Sequence, residues 1–178
     1  DPLGHAEVIG ELLVRALDET GTGPISHVVA GMGPGPFTGL RIGIATARTF
    51  AMGRGIQVVP VPSHYAAALT EIDRDAVVGP FAIVTDARRR EVAITVFDGT
   101  DADGIPHVVR DTLLVARVDA DELLDGIRRI DVETLSAVDL ARVGARAVAA
   151  ERTLAGAEPL YLRQPDVTVP GKRPWTES

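Results

Sequence analysis

Apolar positions along the chain follow two periods, and the helical one comes first. From His5 to Glu19, Val8, Ile9, Leu12, Leu13, Ala16 and Leu17 recur at i, i+1, i+4, i+5, which places them on one face of an amphipathic helix. Gly21 to Pro24 ends it. Val28 to Gly31 reads as a short buried strand, and Leu40 to Met52 as a second helix. Thr38 is placed to cap that helix, its hydroxyl facing the orphan N–H of Leu40 or Arg41. Gln57 to Pro62 predicts another strand, and Ser63 a cap for a short helix through Leu69. Strand and helix alternating in this way predict parallel α/β packing.

The second half changes pattern. Phe81 to Thr85 and Glu91 to Phe97 flank a polar turn, which predicts a hairpin, and Val108 to Val115 adds a third strand. Asp98-Gly99 and Asp103-Gly104 read as turn dipeptides. Ser136-Ala-Val-Asp139 resembles a capping box with Asp in place of Glu. It opens a helix to about Glu151, with Leu140, Val143, Ala147 and Val148 on one face. Beyond Val167, Pro170, Gly171 and Pro174 mark a tail. No internal repeat is visible. The expected organisation is a first lobe over residues 1–78, a second over 79–166 and the tail 167–178.

At 178 residues and 46% hydrophobic, the chain can bury a sizeable core. A net charge of −7 argues against strong free-standing nucleic-acid binding, which needs a basic surface to displace counterions. Zero cysteines excludes disulfides and thiolate metal sites, and suits a cytoplasmic protein. No apolar run approaches a membrane span of ~18 residues.

Gly31 to Arg41, Gly-Met-Gly-Pro-Gly-Pro-Phe-Thr-Gly-Leu-Arg, joins the first strand to the second helix. A glycine-rich turn here is either a phosphate cradle or a tight packing turn. Pro34 and Pro36 lack an N–H, and the lone lysine, Lys172, is distant, so the packing turn is the stronger reading. The spelling Gly33-Pro34-Gly35-Pro36-Phe37-Thr38-Gly39-Leu40-Arg41 resembles the signature of the TsaB (YeaZ) family, with Pro36 where Ser is usual. Asp86-Ala-Arg-Arg-Arg-Glu-Val92 resembles that family's hairpin, with Ala93 where Tyr is common. Pro159-Leu-Tyr-Leu-Arg163 resembles its C-terminal Tyr-Leu-Arg.

The resemblance implies an α/β, actin-like (ASKHA, Hsp70–sugar kinase type) two-lobed fold. It also implies an N-terminal β-hairpin and more sequence near Gly126 than this chain has. The expectation is therefore that strands preceding Asp1, and an internal stretch, are absent here.

In function, the resemblance implies a cytoplasmic, non-catalytic subunit without a cofactor or metal. Such a subunit dimerises with TsaD, joins TsaE in the complex, pairs with itself when alone, and meets tRNA only indirectly. The reaction served is threonylcarbamoyl transfer to adenosine in tRNA, giving N6-threonylcarbamoyladenosine. The interface implied is a four-helix bundle built from the first two helices. Val8, Leu12, Arg15, Gly39, Arg41, Gly43, Ile44, Ala45, Ala47, Arg48 and Ala51 are its candidate positions. Gly39, Gly43, Ala47 and Ala51 form a small-residue stripe, which serves either packing within the chain or close approach of a partner helix. His5 has Ile9 one turn on, where the catalytic paralogue has a second metal-binding His, so no metal pair forms. His27, His64 and His107 show no ligand spacing. Arg88, Arg89 and Arg90 are either a solvated turn or an auxiliary anion- or tRNA-facing tip. The competing class is an ATP-dependent small-molecule kinase or ATPase of the same superfamily; a third reading is a homodimeric scaffold.

Overall fold

The computed structural model describes residues 5–20, 23–74 and 79–162, without the side chains of 5–7 and 20. The predicted tail, Arg163, the side chain of His5 and the expected lobe boundary at 78/79 lie outside the described residues or side chains. Helix α1 (His5–Thr20) precedes strand β1 (His27–Gly31), helix α2 (Phe37–Arg54), strand β2 (Gln57–Val61) and helix α3 (His64–Asp73). Then come β3 (Phe81–Asp86), β4 (Glu91–Thr100), β5 (Pro106–Ala116), short helix α4 (Ala120–Leu123), β6 (Arg128–Asp131) and α5 (Ala137–Ala149).

Two sheets result. β1 and β2 pair in parallel, His27 opposite Gln57, joined by the α2 crossover. The second sheet has the order β5-β4-β3-β6. β3 is antiparallel to β4, Phe81 opposite Phe97, and parallel to β6, Phe81 opposite Arg128. The predicted hairpin and third strand are present; β6 and α4 are additions to the sequence reading.

Both sheets are covered on both faces, which is why their central strands are apolar almost throughout. Period-two alternation sends Ala82, Val84, Val92, Ile94 and Val96 to one side of the larger sheet, against Ala120 and Leu124. Phe81, Ile83 and Phe97 face the other way, onto Ala67 and Ala68 of α3. In the smaller sheet, Ala30 and Val58 face α2 with Met32 and Ile44, whereas Val29, Val59 and Val61 face α5. α3 serves both layers, giving Leu69 to one core and its alanines to the other. α5 belongs in sequence to the expected second lobe, yet it packs on β1, β2 and α3.

Three local readings are corrected. α2 starts at Phe37, so Thr38 lies inside its first turn and does not cap it. The cap position is Pro36, with no side-chain hydrogen bond, and its carbonyl accepts from Leu40 N–H at 2.9 Å. Ser63 stands at the α3 cap position without capping, because its hydroxyl serves the glycine turn. Asp98-Gly99 lies within β4, where a left-handed Gly99 (φ 58°) coincides with a register shift between Phe97 and Thr100. Two other readings hold: Ser136 caps α5 by accepting from Asp139 N–H at 3.1 Å, and Gly104 (φ 72°) closes a turn on Asp101.

Candidate interaction surfaces

The signature turn is knitted into the fold. Met32 N–H donates to Val61 O at 2.8 Å and Gly33 N–H to Ser63 Oγ at 3.0 Å. Ser63 N–H returns to Gly33 O at 2.7 Å, and Leu160 N–H donates to Met32 O at 2.7 Å. Gly33 has φ 99°, a conformation open to glycine, and its peptide bond to Pro34 is cis. Gly33 and Pro34 are buried; Gly35, Phe37 and Thr38 are exposed. Two of the turn's N–H groups are thus taken internally, and Pro34 and Pro36 offer none, which suits a packing turn better than an anion cradle.

The candidate interface positions divide into three groups. Val8, Leu12 and Arg15 on α1 are exposed, as is Val14 nearby. On α2, Ile44 (4% exposed) and Ala51 (2%) are buried within this chain, and Ala47 packs beside them, so these side chains serve the core. Arg41, Ala45 and Arg48 are exposed, whereas Gly39 and Gly43 are half-buried. A Cβ built on Gly43 meets nothing within 4 Å among the described residues, so none of them requires glycine there. Gly144 on α5 is the opposite case, its Cβ falling 2.4 Å from a Val29 methyl.

Arg41 and Arg48 are held by the segment that follows α5. Arg41 Nε donates to Tyr161 Oη at 2.8 Å, and its guanidinium lies 3.8 Å from the Phe37 ring centre. Phe37 and Tyr161 rings sit 5.6 Å apart, and Arg48 donates to the Ala157 carbonyl. The C-terminal Tyr-Leu motif therefore straps the start of α2, a link that sequence spacing could not reveal. Towards the other end of α2, Leu13, Ala16, Leu17, Pro24, Ile25 and Phe50 line an apolar groove of about 410 Å³ between α1 and α2.

At the far end of β3, Arg88, Arg89 and Arg90 form the hairpin tip. All three are exposed and left-handed, with φ 63°, 53° and 65°. For residues with a Cβ that conformation costs roughly 1–2 kcal/mol each. Backbone bonds fix the turn: Ala87 N–H to Glu91 O at 3.0 Å, Glu91 N–H to Arg88 O at 2.9 Å, and Arg117 N–H to Arg90 O at 2.8 Å. Arg117 also donates to the Asp86 carboxylate, bringing a fourth guanidinium to the tip.

His64 is fully buried. Its Nδ1 lies 2.7 Å from Thr95 Oγ1 and its Nε2 2.9 Å from Thr85 Oγ1, with Thr112 Oγ1 a further 2.7 Å from Thr95. Burial pushes its pKa down to about 3, so the imidazole is neutral and ties α3 to β3 and β4. Among the described residues no group of three His, Cys, Asp or Glu could hold a metal ion, and no helix is long and apolar enough to cross a membrane.

A family model described as "TsaD: tRNA N6-adenosine threonylcarbamoyltransferase" matches residues 3–113. An uncharacterized protein of Mycobacterium tuberculosis is 39% identical over 94 residues, 52% of this chain and 42% of that protein. The chain thus spans under half the length of the curated relatives it first matches. A tRNA N6-adenosine threonylcarbamoyltransferase of Nitrobacter winogradskyi is 37% identical over 68 residues, 37% of this chain and 19% of that protein. Among solved structures, YeaZ from Pseudomonas aeruginosa superimposes with a TM-score of 0.71 at 20% identity, over 90% of this chain and 85% of that one. The shared fold is the actin-like α/β type expected from the signature turn.

Proposed function

Because the chain belongs to the tRNA N6-adenosine threonylcarbamoyltransferase (TsaD) family and has the fold of YeaZ (TsaB), we propose that it is the non-catalytic partner of TsaD in threonylcarbamoyl transfer to tRNA adenosine. It acts by presenting the α1/α2 surface to TsaD, with TsaE completing the complex in the cytoplasm, and it pairs with itself when TsaD is absent. The observation that carries this reading is Gly43. Glycine inside a helix costs about 1 kcal/mol against alanine, and among the described residues nothing lies within 4 Å of a Cβ built there. A second backbone approaching α2 at that point supplies a reason for it. The exposed Val8 and Leu12 on neighbouring α1 give such a partner apolar area to bury.

The core-directed Ile44 and Ala51 leave Val8, Leu12, Arg15, Gly43 and Ala45 as the outward contact set, with Arg41 and Arg48 reaching the partner through the C-terminal strap. The glycine turn orients α2 and does not hold a nucleotide. Mixing the protein with TsaD of the same organism and measuring mass by light scattering, with and without ATP, tests the reading. A one-to-one complex supports it. No complex, together with ATP binding by this chain alone, overturns it in favour of the kinase-like class.

A further inference from the structure

We propose that the Arg88–Arg90 tip contacts the phosphodiester backbone of a folded RNA, the tRNA acted on by the partner, so that this subunit touches the substrate directly. The inference rests on the family reading for the identity of the RNA, and on the tip itself for the contact.

The first observation is the conflict between backbone and side chain. Left-handed positions favour glycine, asparagine or aspartate, which relieve the crowding of Cβ against the carbonyl. Three such positions in succession all carry arginine. The turn does not explain that choice, since glycine would make the same bonds from Ala87 to Glu91 and from Arg117 to Arg90 with less strain. What arginine adds is the planar fork of donors that matches phosphate oxygens.

The second observation is shape. Three consecutive residues with φ between 53° and 65° curl the chain tightly, and all three stand exposed at the end of the hairpin. The result is a narrow, projecting basic tip. Such a tip suits a concave acceptor with charge on both walls, such as a groove of A-form RNA flanked by two phosphate strands. Arg88 and Arg90 are exposed and make no ion pair among the described residues.

The third is charge. The tip and Arg117 bring four arginines against Asp86 and Glu91, in a chain of net charge −7. An acidic surround repels RNA from the rest of the surface, so the tip selects the orientation of docking instead of supplying bulk affinity. Weak binding by the chain alone, and a stronger effect within the complex, both follow.

The test compares the wild-type protein with a variant carrying Arg88→Gly, Arg89→Gly and Arg90→Gly, each assembled with TsaD. Light scattering first establishes that complex mass is the same for both, and thermal melting that the variant is no less stable. Binding of a fluorescein-labelled, unmodified tRNA transcript is then followed by anisotropy over a range of salt. The variant is expected to bind about tenfold more weakly, with the slope of log K against log salt reduced by about two to three. An intact complex with unchanged affinity and slope overturns the proposal. If the wild-type chain forms no complex with TsaD, the partner reading has failed separately, and the same titration is run on the chain alone at low salt. A wild-type signal lost in the glycine variant still supports the contact, and equal behaviour of the two overturns it. Displacement of the tRNA by polyglutamate as readily as by unlabelled tRNA also overturns it, in favour of an acidic protein ligand.

Discussion

Ser63 and Gly33 bond each other twice, the glycine N–H donating to the serine hydroxyl at 3.0 Å and the serine N–H to the glycine carbonyl at 2.7 Å. The pair locks the turn before α2 to the start of α3, and both residues are buried. Ser63→Ala leaves a buried N–H without its acceptor and is expected to cost about 1–3 kcal/mol. The midpoint of urea unfolding reads this; a midpoint unchanged from wild type would mean the hydroxyl does not hold the turn.

Gly43→Leu separates folding from assembly. Among the described residues nothing stands within 4 Å of a Cβ at that position, so the variant chain should still fold, with an unchanged far-ultraviolet circular dichroism spectrum. Complex formation with TsaD should be lost, because a leucine blocks close helix approach. Gel filtration of the mixture checks this, and a complex peak equal to wild type would refute the placing of the partner on α2.

Gly144→Ala should behave in the opposite way. A single methyl meets Val29 at 2.4 and 2.8 Å, so α5 must lift from β1. Overpacking of this kind costs about 1–3 kcal/mol, more than the helix gains from losing a glycine. Differential scanning calorimetry should show a lower melting temperature; a higher one would mean that α5 has room to move.

His64 gives the protein a pH dependence. Its folded pKa, about 3, lies below the ordinary 6.5, so the folded state binds this proton less readily than the unfolded state. The stability it contributes is complete above pH 6.5 and is lost as pH falls towards 3, at about 1.4 kcal/mol per unit. Between pH 6.5 and 5 the loss is roughly 2 kcal/mol. Asp101 and Asp139, both held below the usual carboxylate value, titrate lower than this window. Denaturation at pH 7 and pH 5 should therefore show a difference that shrinks by that amount in His64→Gln. A variant with the wild-type slope would assign the dependence elsewhere.

The parts of the fold that could be read in advance are those where periodicity decides. α1, the hairpin of β3 and β4, and the Ser136 cap all follow from residue spacing and capping chemistry. β6 escapes because Arg-Arg-Ile-Asp carries a single apolar residue, and its second arginine is held by carboxylates, Asp121 at 2.6 Å and Asp131 at 2.8 Å. Thr38 misleads because α2 begins one residue before it, and Ser63 because the Gly33 N–H competes for its hydroxyl. At the candidate surfaces, the small-residue stripe of α2 fits core packing and partner approach equally well, so it does not say which of its side chains lie outside. The left-handed tip could not be anticipated, since arginine carries no signal for positive φ.

The position of α5 and the strap after it fixes the order in which the protein can be completed. Val29, Val59 and Val61 in the first strands share a core with Leu140, Val143 and Ala147, so part of their cover arrives only after residues beyond Ala137 have been made. The turn at Met32 likewise waits for Leu160, and α2 for Tyr161. A ribosome has therefore to deliver nearly the whole described chain before its opening third has all its contacts. The first sheet is thus completed by long-range contacts, of the kind that slow folding because loop closure comes before their gain.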